Sequence, residues 1–170
     1  MDVVETNRKH LNKQQTKLRQ LLTDPGEFNQ AIELFFDQHA SLHSRKVSHL
    51  ETWSFEDAIL DDLTEEHFRR IPKNQEHSIA WCIWHLARIE DTAMSILIAN
   101  GAQVFRRGNW QARLNVAFRD CGNKMEVESI AELSGQIDLQ ALRDYRVAVG
   151  RRTREIVSSL QPDDLKHIRF

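Results

Sequence analysis

Ser78-Ile79-Ala80-Trp81-Cys82-Ile83-Trp84-His85-Leu86-Ala87-Arg88-Ile89-Glu90-Asp91 reads as the turn-by-turn pattern of an α-helix near the centre of a fold. Ser78 offers a side-chain oxygen to the open N–H groups of a first turn. The pattern runs on to Ala99, and Gly101 follows as a stop signal. Ile79, Ile83, Leu86, Ile89, Ala93, Ile96 and Leu97 recur at steps of three and four and form an apolar stripe. Trp81, Cys82 and Trp84 widen that stripe beyond what a solvated surface helix needs. The spacing predicts a central helix over 78–99 with most of its girth covered, and Cys82 as a reduced, buried thiol.

Further helical patterns lie on both sides. Leu11, Leu18, Leu21 and Leu22 predict a helix over 3–22, closed by Asp24-Pro25-Gly26. Ile32, Phe35, Phe36, His39, His43 and Val47 share a broad face over 27–47. Ser54 caps a short helix reaching Leu60, and Thr64 starts another that Pro72 closes. Residues 101–124, with Gly101, Gly108, Asn109, Gly122 and Asn123, read as a long crossover with a helical turn around Trp110 to Asn115. A short helix follows over 126–135. Asp138 then caps a last long helix to Leu160, with Leu142, Tyr145, Val149, Ile156 and Leu160 along its apolar line. Strand-like alternation is almost absent. The expectation is an all-α, up-down-up-down four-helix bundle with a long crossover loop, formed by residues 1–170 as a single domain.

Composition narrows the function. Lys and Arg total 23 against 25 Asp and Glu, so no net positive charge draws the chain to nucleic acid or to an anionic membrane. The first ten residues hold no apolar signal core, and no run of 18 apolar residues exists, so the expected setting is the cytoplasm. Two cysteines, Cys82 and Cys121, are too few for a disulfide framework. Dinucleotide and P-loop glycine motifs, the H-E-x-x-H pair and the nucleophile elbow are all missing.

Eight histidines are the chemical feature that stands out. His10, His67 and His167 sit in polar surroundings and read as surface residues; His49 and His77 lie near helix ends. His39 and His43 are four apart, which stacks both imidazoles on one helix face, as a zinc, nickel or iron site requires. Ordinary polar packing produces the same spacing. His85 falls on or beside the covered face of the central helix, where one ring nitrogen would meet a metal and the other a backbone oxygen or carboxylate. A hydrogen-bonded structural histidine fits the same position. Glu90 and Asp91, just beyond one turn later, either orient a ligand or pair with Arg88 or Arg154, and pairing is the simpler reading.

The Ser78–Asp91 segment, with its Trp84-His85-Leu86-Ala87 core, resembles the corresponding helix of the DinB-like, or YfiT-like, superfamily. The resemblance extends to Phe36–Glu56, to Val104-Phe105 through Trp110, and to Leu142–Leu160. It implies a four-helix bundle with a divalent metal (Ni, Zn, Fe or Mn) held by three histidines at one end of the core, and it carries over onto His85. The family's other two ligands usually come from a later H-x-x-x-H pair. Here only His167 follows His85. Either a final helix is missing from the C-terminus, or His39 and His43 supply the pair from earlier in the chain. The resemblance further implies a metal-dependent thiol transferase or hydrolase acting on a small thiol or other small molecule. The alternative is a non-catalytic helical module for dimerisation or protein interaction. A homodimer is expected under either.

Overall fold

The computed structural model describes residues 3–73 and 77–166; the expectation for His167 lies outside the described residues. Among these, the secondary structure is helical throughout, with no strand. The four-helix bundle is not what forms. The described residues make ten α-helices, and only three of them have 15 residues or more: α1 (Val3–Leu21), α2 (Phe28–Leu42) and α10 (Leu139–Ser159). The cause is local. Serines, threonines and left-handed asparagines stop and restart the helix wherever the bundle reading expected continuous rods or loop.

The chain forms two compact units, residues 1–61 with 154–170 and residues 62–153. In the first, α1 packs on α2. The expected helix over 27–47 breaks at His43, whose backbone is extended, because the Ser44 hydroxyl accepts from Lys46 N and starts α3 (Arg45–Ser48). Ser54 accepts from Asp57 N and starts α4 (Phe55–Leu60), as its position predicts. Asp57 Oδ2 in turn accepts from the backbone N and the Nε of Arg45.

In the second unit, Thr64 caps α5 (Glu65–Arg69), and Ser78 caps α6 (Ile79–Asp91) by accepting from Trp81 N. The covered face of α6 differs from the expected one. Ala80, Trp81, Ile83, Trp84, Ala87, Arg88 and Asp91 are buried, whereas Cys82, Leu86 and Ile89 are exposed. The helix has two apolar arcs, and the tryptophan arc is the one that finds partners. After Asp91 the coil widens into a π-helical segment, Thr92–Ile98, where Ala99 N donates five residues back to Met94 O. Ile96, Leu97 and Ile98 consequently face water in succession.

The stretch expected as a crossover loop holds α7 (Val104–Arg107) and α8 (Trp110–Arg113). Asn109 and Asn115 take left-handed backbone on either side of α8, a conformation asparagine tolerates. Gly122 is also left-handed, and its Cα lies so close to Trp84 that an added Cβ would sit 2.6 Å from the indole ring. α9 (Val127–Gln136) packs on α5 and α6. Its last carbonyls, Ser134 O and Gly135 O, accept from Arg69 Nη1. Asp138 Oδ1 accepts from Ala141 N at the head of α10. No helix among the described residues is long and apolar enough to cross a membrane.

Candidate metal centre

His39 sits in the last turn of α2 and His43 directly after it. The helical repeat places the second ring over the first, with centroids 4.0 Å apart and planes 17° from parallel. The His43 N–H donates to His39 O at 3.0 Å, which holds the spacing although the helix has ended. Phe35, one turn earlier, backs the His39 ring at 5.6 Å. Both imidazoles are buried, at 6% and 4% exposure. Burial of two adjacent polar rings costs stability unless their nitrogens do something useful.

Glu90, on the last turn of α6, is held from α10. Its Oε2 accepts from Arg146 Nη1 at 2.7 Å and its Oε1 from Thr153 Oγ1 at 2.6 Å. Arg146 and Thr153 are seven residues apart, two turns along one face. The Arg146–Glu90 pair is largely shielded from water.

Two stacked, buried imidazoles one helical turn apart are donors of the kind that a divalent ion of the borderline class takes. The ion pairing that the sequence reading preferred for Glu90 is present, with Arg146. Nothing within one helix period of Glu90 announces Arg146 or Thr153.

His85 is placed differently. Its Nδ1 bonds the Cys121 carbonyl oxygen, and its ring stacks on Trp81 at 4.5 Å. It is partly exposed. His77 also packs against Trp81, with ring centroids 3.8 Å apart. His10, His49 and His67 are exposed, and the His67 Nδ1 accepts from Thr64 N as part of the α5 cap.

The neighbouring acid, Asp91, has a separate task. Its Oδ1 accepts from Ser95 Oγ and Val104 N, and its Oδ2 from Phe105 N, the Tyr145 hydroxyl and Arg88 Nη1. Arg88 also donates to Arg119 O at 2.7 Å. This buried hub ties α6 to α7 and α10. Burial, then the Asp91 charge, pushes the Tyr145 phenol well above its ordinary range.

No curated protein matches the chain. The model of the DinB superfamily matches residues 49–170, well over half of the sequence, so Glu90, Arg146, Thr153 and His85 fall inside the match and the His39/His43 pair precedes it. The tryptophan-rich α6, the α7–α8 segment and α10 all lie within that span, and the chain belongs to the DinB superfamily.

Proposed function

We propose that this protein binds one divalent metal ion through the His39/His43 pair and uses it in a metal-dependent thiol transferase or hydrolase reaction on a small molecule. The observation that carries the reading is the stack of two buried imidazoles, His39 and His43, with ring centroids 4.0 Å apart. A bound ion would supply Lewis acidity and lower the pKa of a thiol or water bound to it. Superfamily membership supports the same chemistry. The free thiols Cys82 and Cys121 agree with work in a reducing compartment such as the cytoplasm. His85 is the ligand that the family resemblance carries over, and it enters the same test. Elemental analysis of tag-free protein with Ni, Zn, Fe or Mn should give about one ion per chain. His39→Ala and His43→Ala should each abolish uptake. Loss of metal in His85→Ala as well would add the third histidine that the family resemblance implies. A wild-type chain that ignores all four ions would overturn the reading.

Self-association is a second, compatible reading. Cys82, Leu86, Ile89, Ile96 and Leu97 leave one uncharged apolar face of α6 and its π-helical extension exposed, as a two-fold helix contact between copies requires. Light scattering should show a dimer that Leu86→Glu with Leu97→Glu converts to monomer; a wild-type monomer at all concentrations would exclude it.

A further inference from the structure

We infer that Arg154 seats the carboxylate of a small-molecule ligand over the face of α2 that carries His39 and His43. On the metal reading above, on which this rests, that ligand is the substrate, and its class is an anionic small molecule. Arg154, α2 and the histidine pair all lie in the first compact unit. Arg154 stands near the end of α10 and is half-buried. Its Nη1 donates to Phe36 O at 3.3 Å, and its guanidinium carbon lies 4.5 Å from the centroid of the Phe36 ring. That is its only hydrogen bond among the described residues, and it forms an ion pair with none of them. A guanidinium carries five N–H donors, so most of the fork is uncommitted. Burial pulls the Arg154 pKa below its ordinary value, and the charge of Asp37, beyond ion-pair distance, offsets this only in part. A cation drawn out of water without a counter-charge costs stability, and an incoming anion removes that cost.

The placement of the guanidinium selects the ligand. Phe36, His39 and His43 stand at i, i+3 and i+7, on one side of α2. The helical rise sets Phe36 about 4.5 Å from His39 and about 10.5 Å from His43 along the axis. A molecule ~5–10 Å long therefore reaches from the guanidinium over Phe36 to the imidazole pair. The planar fork matches the two oxygens of a carboxylate. One guanidinium brings one positive charge, and the Asp37 charge opposes a second negative one, so a monoanionic carboxylate suits the place better than a phosphate dianion.

The test uses two thiols that differ only at the far end, 6-mercaptohexanoate and the uncharged 6-mercaptohexanol. Each is titrated by calorimetry into Zn²⁺-loaded protein. The acid should bind ~10–100-fold more tightly than the alcohol. Arg154→Gln should erase that difference while Zn²⁺ uptake and the far-UV circular dichroism stay as in the wild type. Arg154→Lys keeps the charge without the fork and should retain a smaller preference. Equal affinity for the two probes in the wild type overturns the inference and leaves the metal site standing. A preference of the same size in the wild type and in Arg154→Gln overturns it too, since another group would then hold the carboxylate. If Arg154→Gln fails to fold, an undiminished preference in Arg154→Lys has the same force. A wild type that takes up no Zn²⁺ removes the metal reading, and hexanoate against hexanol on the metal-free protein then decides for Arg154 alone. A preference for the acid that Arg154→Gln abolishes upholds the carboxylate seat; no preference overturns it.

Discussion

The Tyr145 hydroxyl donates to Asp91 Oδ2 at 2.8 Å, and neither residue has solvent exposure. A carboxyl group is tolerated in such a place only if its oxygens are hydrogen-bonded, and five donors converge on this one. Tyr145→Phe removes one donor of five and should destabilise the fold by about 1–3 kcal/mol. Asp91→Ala leaves Arg88 buried without its counter-charge and should cost about 3–5 kcal/mol. Urea unfolding, with the slope unchanged and the midpoint lowered, checks both.

The same contact sets an alkaline limit. The Tyr145 phenol holds its proton far above its ordinary range in the folded chain. An unfolded chain releases that proton near pH 10. Above that pH the native state binds more protons than the unfolded one, so stability falls as pH rises. Below pH 10 this contribution is fully present. Tyr145→Phe should flatten the decline between about pH 10 and 11 in a series of thermal melts.

Acid should loosen the α3–α4 junction. Burial alone would raise the Asp57 carboxyl, but donation from the Arg45 backbone and from the Ser44, Arg45 and Ser54 side chains outweighs it and holds the group below its ordinary range. The stabilisation is therefore present above about pH 4 and lost as pH falls below it. Asp57→Asn should remove part of that acid sensitivity, read as hydrogen-exchange protection of the Asp57 and Ala58 amides.

Gly122→Ala should destabilise the second unit by about 1–3 kcal/mol. The residue has φ +82°, and the new methyl would meet the Trp84 ring at 2.6 Å. Trp84 is fully buried and has nowhere to go. A changed near-UV circular dichroism spectrum with lowered Tm would report the displaced indole.

Metal should raise Tm. Zn²⁺ at a hundredfold excess over its Kd adds about 2.7 kcal/mol to folding. His43→Ala should abolish the increment, and a chelator should reverse it in the wild type.

The parts of the fold that depend on neighbours in sequence were readable before the structure. Ser54, Thr64, Ser78 and Asp138 each bond a backbone N–H three residues ahead, so residue type and position suffice. The His39/His43 stack is legible for the same reason. The covered arc of α6 was not, because periodicity counts Leu86 and Trp84 alike; Gly122 makes room for the tryptophan from 38 residues away. Continuous rods and a crossover loop were expected where Asn109, Asn115 and Ser44 reset the backbone and produced short helices. Glu90 was visible as a candidate, but its partners on α10 are separated from it by 56 and 63 residues, beyond any local pattern.

Glu90 and Asp91 are consecutive, and a single helix grips both: Tyr145 takes one, Arg146 and Thr153 the other. Axial sliding of that helix by one turn, about 5.4 Å, would break all three bonds at once. Such a coupling turns the pair into a ratchet with one seated position. Release of Glu90 and release of Asp91 should accordingly coincide with melting of this helix in a single cooperative event on heating.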